Sequence, residues 1–290
     1  MSSTLKLGTR GSKLALTQSG HVADAITAAT GHPVELVVIS TRGDRVTDRP
    51  LQEVGGKGLF TKELEDAMLA GEIHFAVHSM KDMPTDDPPG LIIASIPERV
   101  DARDCLVGAA LSDLPNGAVV GTGSIRRALQ LRAARPDLDI RGIRGNVDTR
   151  IRKQQEGEYD AIVLAMAGIT RLGMAGVADE AIPVGTMIPA VGQGALAIQA
   201  RADDAATLAV LEAIHHARTA ACVQAERSFL IGIAGGCSVP AAAHAVWEGD
   251  QIAITGFYSS DGETGRTARM AGDPLHVVAM GRELARSLKG

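Results

Sequence analysis

Lys81 and Asp82 follow the segment "IHFAVHS", which predicts a β-strand, with one methionine between. In open α/β sheets, ligands bind outside the carboxyl ends of the strands. An ammonium group beside a carboxylate at that position can bind an anion and transfer protons. A solvated ion pair on the surface would have the same sequence, so this pair alone leaves both interpretations open.

Arginine is concentrated in residues 121–153, where eight Arg and one Lys oppose three Asp, a local charge of +6 in a chain of net charge −5. "GTGSIRR" (121–127) predicts a turn from a strand into a helix, and "RGIRGNVDTR" (141–150) repeats that arrangement. Helix N-termini favour anions, and guanidinium groups bind carboxylate or phosphate. Arginines gathered at two strand ends without a partner would repel one another. The pattern therefore favours a ligand with several carboxylates over a solvated helix face.

Cys237 lies between two glycines and a Ser-Val-Pro turn, in "GGCSVP" (235–240). The other cysteines, Cys105 and Cys222, are distant in sequence, and the chain has no C-x-x-C pair. This usage argues against a disulfide framework and a thiolate zinc site, and it fits a reducing cytosol. No His, Cys and carboxylate residues have metal-ligand spacing, so we expect no metal site.

Composition restricts the class of protein. The chain has 290 residues, enough for about two domains, and its apolar runs are shorter than the roughly 20 residues that span a bilayer. The N-terminus lacks the apolar segment of an export signal, and we expect a cytoplasmic protein. The net charge of −5 and an aromatic content of 2% argue against a nucleic-acid-binding module. The alternative, nucleic-acid binding through residues 121–153, predicts binding that weakens steeply with salt.

Short β-branched runs alternate with amphipathic segments, which is typical of α/β architecture. Ser12 is a predicted N-cap for a helix over "KLALTQSGHVADAITAA", and strands are predicted at "TLKLGTR", "VELVVIS", "AVVGTGS" and "DAIVLAMAG". A final segment from His215 has a helix, two strands and a helix, which predicts a small α+β unit. "VGGKGLF" (54–60) lacks the frame of a phosphate-binding loop. Its glycines instead predict a flexible lid that contains Lys57 and Phe60.

Nine collinear stretches together closely resemble the porphobilinogen deaminase (hydroxymethylbilane synthase) family. They are "GTRGSKLALTQ", "STRGD", "VGGKGLFTKELE", "AVHSMKDMP", "GTGSIRRALQL", "IRGNVDTR", "YDAIVLAMAGITRLG", "PAVGQGALAI" and "GGCSVP".

The resemblance implies a fold of two doubly wound α/β domains, similar to periplasmic binding proteins, and a small C-terminal α+β domain. Domain 1 would comprise residues 1–98 and 191–215, domain 2 residues 99–190 with an arginine-rich cleft, and domain 3 residues 216–290. The chain would cross between domains 1 and 2 in the loops around Arg99 and Pro189.

The family implies a transferase of tetrapyrrole biosynthesis. Its members join four porphobilinogen molecules head to tail, release ammonia and form hydroxymethylbilane. The primer is a dipyrromethane cofactor, which by this resemblance would be bound to Cys237 through a thioether. Cys105 and Cys222 match no functional position, and we interpret both as packing residues. The resemblance also implies a monomer that binds neither nucleic acid nor membrane.

Residue by residue, Asp82 matches the family's catalytic aspartate. The positions that would hold the cofactor and growing chain are Lys81, Ser124, Arg126, Arg127, Arg144 and Arg150. The positions that would bind substrate are Arg10, Ser12, Arg144, Arg150, Arg171 and Gln193.

Two positions depart from the family pattern. Gly123 replaces a serine found in many relatives, and Asp148 adds a negative charge within "RGNVDTR". Neither involves Asp82 or Cys237, so we expect an active enzyme. The alternative is a non-catalytic solute-binding or effector-binding protein for a polycarboxylate, which would release no ammonia from porphobilinogen.

Overall fold

A computed structural model of the chain describes residues 4–41, 43, 60–86, 88–233 and 240–290. Lys57 and Cys237 lie outside the described residues. The chain divides into two compact units, Met1–Arg99 with Ala195–Ala220 and Val100–Gly194 with Ala221–Gly290. The boundaries of the three predicted domains stay a prediction.

In the first unit the described strands form a mixed sheet in the order β2-β1-β3-β10-β4. Its strands are β1 (Leu5–Thr9), β2 (Val34–Val38), β3 (Phe75–Ser79), β4 (Leu91–Ser95) and β10 (Leu196–Arg201). β1 is parallel to β2 and β3, whereas β10 is antiparallel to β3 and β4. The helices of this unit are α1 (Lys13–Thr30), α2 (Lys62–Leu69) and α6 (Ala205–Glu212).

Helices cover both faces of this sheet. Successive side chains of a strand point to opposite faces, so neighbouring residues of β3 join different cores. Phe75 packs with Ile26 of α1 and Leu211 of α6, whereas Ala76 packs with Leu64 of α2. The first unit is therefore doubly wound, as predicted.

The predicted N-cap of α1 is present in the first unit. The Ser12 hydroxyl accepts a hydrogen bond from the Ala15 backbone N–H at 3.3 Å and so caps α1. That bond satisfies one of the helix's otherwise unpaired N–H groups. α2 ends at Leu69, and Gly71 follows with a φ of 72°, a conformation that favours glycine.

The second unit contains a sheet in the order β7-β6-β8-β5-β9. Its strands are β5 (Asp104–Val107), β6 (Val119–Gly121), β7 (Asp139–Arg141), β8 (Ala161–Ala165) and β9 (Glu180–Ala181). The helices beside it are α3 (Ile125–Ala134), α4 (Val147–Gln155) and α5 (Met166–Arg171). Leu131 of α3 packs against one face, and Ile151 of α4 and Ile169 of α5 pack against the other. This sheet too is doubly wound.

The C-terminal residues form an antiparallel sheet, β11-β12-β13, packed against two helices. Its elements are α7 (Ala217–Ile233), β11 (Ala241–Glu248), β12 (Gln251–Tyr258), β13 (Arg266–Gly272) and α8 (Val277–Lys289). Phe229, Ile254 and Leu284 are buried in the shared core. The predicted fold class, two doubly wound α/β sheets with a small α+β part, is therefore confirmed. The third strand, β13, was not predicted from the sequence.

Candidate functional site

The Lys81–Asp82 pair lies in a single 3-10 turn, Met80–Asp82, directly beyond β3. The Met80 N–H donates to the Ala195 carbonyl at 3.0 Å, and the Met83 N–H closes the turn on the Met80 carbonyl at 3.2 Å. The Asp82 side chain is exposed and Lys81 is half-buried. The structure thus places the pair at the carboxyl end of a strand, on backbone that is fixed on both sides.

Arg10 and Ser12 follow the carboxyl end of β1, which is parallel to β3, so they lie at the same sheet edge as Asp82. The Arg10 guanidinium lies over the Phe60 ring, 4.1 Å from its centroid. A cation over an aromatic face is attracted by the ring's electrons, and this contact holds the guanidinium in place. Arg10 and Phe60 are therefore brought together by the fold.

His78 is a buried residue of the same edge that sequence reasoning did not single out. It lies in β3, one residue before its end, and is 6% exposed. Burial lowers the pKa of His78 to about 4, and the nearby charge of Arg10 acts in the same direction. The imidazole is therefore neutral at neutral pH, and it adds no second positive charge beside Arg10.

In the second unit, Arg126 and Arg127 converge on the carboxylate of Asp104. Arg127 donates to Asp104 Oδ1 from Nη2 at 2.7 Å and from Nε at 3.1 Å. Arg126 Nη1 lies 2.8 Å from Asp104 Oδ2. Both arginines are 7% exposed, and Asp104 is fully buried. These three residues are called the Asp104 cluster below.

The Asp104 cluster carries an excess positive charge. Burial alone would raise the pKa of Asp104, but the two guanidinium groups outweigh it and hold that pKa well below its usual range. Burial lowers the pKa of Arg126, although Asp104 opposes the shift. Among the described residues, two buried cations therefore share one buried carboxylate. Such an excess suits an anionic ligand, because an unpaired buried charge is unfavourable.

Gln193 joins this cluster from the loop that precedes β10. Its Nε2 donates to Asp104 Oδ1 at 2.8 Å and to the Ala102 carbonyl at 2.7 Å. The arginines also donate to backbone carbonyls, Arg126 to Ile188 at 2.6 Å and Arg127 to Val163 at 3.1 Å. Every member of the cluster is thus fixed by hydrogen bonds to surrounding backbone or to Asp104.

Ser124 and Arg150 lie close to the cluster in the fold. Ser124 occupies the N-cap position of α3 and is half-buried, and its side chain makes no capping bond there. Arg150 Nε donates to the Gly145 carbonyl at 2.8 Å. Burial lowers the pKa of Arg150, and the positive charge of Arg127 acts in the same direction.

Arg144 and Arg171 have contrasting surroundings. Arg144 follows β7 and is exposed, and none of the described residues forms an ion pair with it. Arg171 ends α5, is half-buried, and donates from Nη2 to the Gly194 carbonyl at 2.7 Å. Burial lowers the pKa of Arg171 to about 10, so it remains a cation at neutral pH. The exposed guanidinium group of Arg144 and the partly desolvated one of Arg171 are both suited to binding carboxylates.

The predicted site residues that the structure describes fall into two sets, each within its own unit. The first unit holds Arg10, Ser12, Phe60, Lys81 and Asp82. The second unit holds Ser124, Arg126, Arg127, Arg144, Arg150, Arg171 and Gln193. Asp104 was missed from the sequence, although a carboxylate that opens the apolar run "DCLV" was a signal for it.

The two doubly wound sheets, with arginines after the carboxyl ends of several strands, define an α/β protein suited to an acidic ligand. Two family models match the chain. Residues 5–209 match "Porphobilinogen deaminase, dipyromethane cofactor binding domain", and residues 220–290 match "Porphobilinogen deaminase, C-terminal domain". The chain therefore belongs to the porphobilinogen deaminase family.

Curated relatives agree with this assignment. A porphobilinogen deaminase of Paracoccus denitrificans is 49% identical over 293 residues, covering 99% of this chain and 94% of the relative. One of Brevibacillus brevis is 49% identical over 290 residues, covering 98% and 93%. The chain is thus an enzyme, a transferase of tetrapyrrole synthesis that uses a dipyrromethane cofactor, and the function prediction is confirmed over the solute-binding alternative.

Solved structures of binding proteins are also similar. The methionine-binding protein MetQ is 12% identical with a TM-score of 0.43, covering 76% of this chain and 94% of that one. A substrate-binding domain of a putative amino acid ABC transporter from Streptococcus pneumoniae is 12% identical with a TM-score of 0.45, covering 73% and 92%. The fold class is established here by the two sheets themselves.

Proposed function

We propose that the residues described above divide the work of joining four porphobilinogen molecules into hydroxymethylbilane. In this proposal Asp82 is the catalytic residue and Cys237 carries the dipyrromethane. The cofactor and the growing chain are held by Lys81, Ser124, Arg126, Arg127, Arg144 and Arg150. The incoming substrate is bound by Arg10, Ser12, Arg144, Arg150, Arg171 and Gln193.

The observation that carries the proposal is the positive excess of the Asp104 cluster. Porphobilinogen has one acetate and one propionate group, so each ring brings two negative charges. Two buried guanidinium groups on one carboxylate, with Arg150 close enough to affect them, supply the matching cations. Charge-assisted hydrogen bonds of this kind are each worth about 1.5–3 kcal/mol. The chemistry of these residues therefore fits a dipyrromethane with carboxylate side chains.

Asp82 has the properties that the proposed chemistry requires. When porphobilinogen loses ammonia, positive charge develops on its pyrrole, and a nearby carboxylate stabilises that charge and accepts a proton. Asp82 is exposed, so a ligand can reach it, and the backbone of its turn is fixed by Ala195. When bound, the dipyrromethane supplies the free pyrrole carbon to which the first substrate molecule is joined.

The remaining assignments are part of the same proposal. Lys57 and Phe60 belong to a lid over the ligand, and the contact of Phe60 with Arg10 supports this role because it ties the end of that segment to a substrate-binding residue. Gln193 supports domain movement as well as binding. The proposal also includes the three-domain division and a cytoplasmic location. It further includes a monomeric state without binding to nucleic acid or membrane. Within the described ranges, no helix is long and apolar enough to cross a membrane.

The test is the intact mass of the denatured protein beside the Cys237→Ser variant. We expect an excess equal to two linked pyrrole units in the wild type and none in the variant. Cys222→Ser is the matched control, since Cys222 is buried in α7 and should leave the adduct unchanged. An unmodified wild type is then incubated with porphobilinogen. If it still gains no mass, the proposed tether is wrong.

A further inference from the structure

Asp104 is the point on which three of the proposed ligand-binding side chains converge. Its carboxylate receives Arg127 at 2.7 Å, Arg126 at 2.8 Å and Gln193 at 2.8 Å. We propose that Asp104 is a positioning residue, which sets the orientation of these side chains for the carboxylates of the cofactor and growing chain. This inference rests on the proposed roles of Arg126 and Arg127.

The argument begins with the planarity of the guanidinium group. Such a group has five N–H donors in a rigid fork, so bonds to some of them fix the direction of the rest. Arg127 uses Nε and Nη2 on Asp104 and Nη1 on the Val163 carbonyl. The directions of its remaining N–H groups are therefore set by Asp104. Arg126 is held through one nitrogen, Nη1, which lies between Asp104 and the Ile188 carbonyl.

The second step concerns charge. Without Asp104, two buried guanidinium groups would repel each other and turn towards whatever anion was near. With Asp104, one of the two charges is balanced and one remains for the ligand. The carboxylate is fully buried and its pKa is held well below its usual range by the arginines, so it is charged at neutral pH.

The rival explanation is that Asp104 is only a counterion that stabilises the buried arginines. The variants Asp104→Asn and Asp104→Glu distinguish this counterion role from the positioning role. Asparagine removes the charge and nearly keeps the shape. Glutamate keeps the charge but moves the carboxylate by one methylene, which displaces the planes of both arginines and the Gln193 contact. A positioning role predicts that both variants bind the ligand poorly. A counterion role predicts that glutamate restores the wild-type behaviour.

The experiment incubates the purified full-length chains with a series of porphobilinogen concentrations and measures the intact mass of each denatured product. The readout is the concentration at which half of the chains have gained pyrrole units. The thermal unfolding midpoint without porphobilinogen is recorded alongside. Asp101→Asn is the matched control, because it removes the more exposed pair in which Arg103 Nη2 lies 2.7 Å from Asp101 Oδ2.

We expect the half-loading concentration to rise at least tenfold in both Asp104 variants and to stay within twofold of the wild type in Asp101→Asn. Wild-type loading in Asp104→Glu, or in a folded Asp104→Asn, would overturn the inference. Failure of both Asp104 variants to fold would also overturn it, since Asp104 would then be a stability residue. A wild-type chain that gains no pyrrole units would instead overturn the proposed tether, and this inference with it.

Discussion

The carboxylate of Glu226 accepts a hydrogen bond from the backbone N–H of Gly192 at 2.7 Å and another from that of Ala245 at 2.8 Å. Glu226 lies in α7 and is fully buried. One side chain therefore ties the helix that leads towards Cys237 both to β11 and to the loop that contains Gln193.

Replacing Glu226 by Gln should lower the free energy of unfolding by about 2 kcal/mol, because a hydrogen bond to a charged acceptor contributes about 1.5–3 kcal/mol. The amide would also present a donor to one of the two backbone N–H groups. Urea unfolding of the full chain measures the change. Gln224→Ala, at an exposed position of the same helix, is the matched control. Equal stability of Glu226→Gln and the control would contradict this prediction.

The buried His78 predicts a dependence of stability on pH. Burial lowers its pKa from 6.5 to about 4, so below pH 6.5 the unfolded chain binds a proton that the folded chain does not. Stability from this group is fully present above pH 6.5 and is lost as the pH falls towards 4. The loss is about 3 kcal/mol, at 1.36 kcal/mol for each pKa unit.

The measurement for His78 is the free energy of unfolding between pH 7.5 and 4 for the wild type and His78→Asn. The variant should lose less stability than the wild type over this range, by about 3 kcal/mol. His21→Asn, at an exposed position of α1, is the control. Parallel curves for the wild type and His78→Asn would show that His78 is not the titrating group.

Asp82→Asn should keep the cofactor bound but slow elongation by at least ~100-fold, since general acid–base groups typically contribute 10²–10⁴-fold. The side chain is exposed, so the fold should be unaffected. Ammonia release measures turnover, and intact mass measures the bound pyrroles. Asp86→Asn, an exposed position of the same loop, is the control. Near-normal turnover in Asp82→Asn would refute the catalytic role.

Arg144→Ala should weaken loading by porphobilinogen about tenfold or more, the effect of losing one charge-assisted hydrogen bond. Arg144 is exposed, and the thermal unfolding midpoint should not change. Intact mass after incubation with porphobilinogen gives the number of pyrrole units on each chain. Arg132→Ala removes an exposed arginine of α3 as a control. Loading equal to that of Arg132→Ala would remove Arg144 from the site.

Local signals predicted much of the fold. Ser12 is an N-cap and "RTAACVQAERSFLIG" is helical because both features are set by neighbouring residues. β13 was missed because "RTARMAG" has a single β-branched residue, and its alanines, arginines and glycine do not favour a strand. It is a strand because pairing with β12 satisfies its backbone, a long-range effect that local propensity does not contain.

The site was predicted in composition but not in its internal contacts. Arg126 and Arg127 were recognised as a pair suited to an anion, yet Asp104 lies 23 positions earlier in sequence than Arg127. Strand order alone brings β5 beside β8, and hence Asp104 to the start of α3. Sequence position could not predict the contact of Asp104 with the two arginines, because the topology of the sheet determines which charged side chains become neighbours.

The position of β10 between β3 and β4 has a consequence for synthesis on the ribosome. The described strands of the second unit's sheet have all been made once Ala181 is added, whereas the described sheet of the first unit waits for Leu196–Arg201. Until then the facing edges of β3 and β4 lack their partner, and unpaired strand edges promote aggregation. The sheet whose first strand is synthesised earliest is therefore completed last. A nascent chain stalled before Leu196 exposes the unpaired edges of β3 and β4.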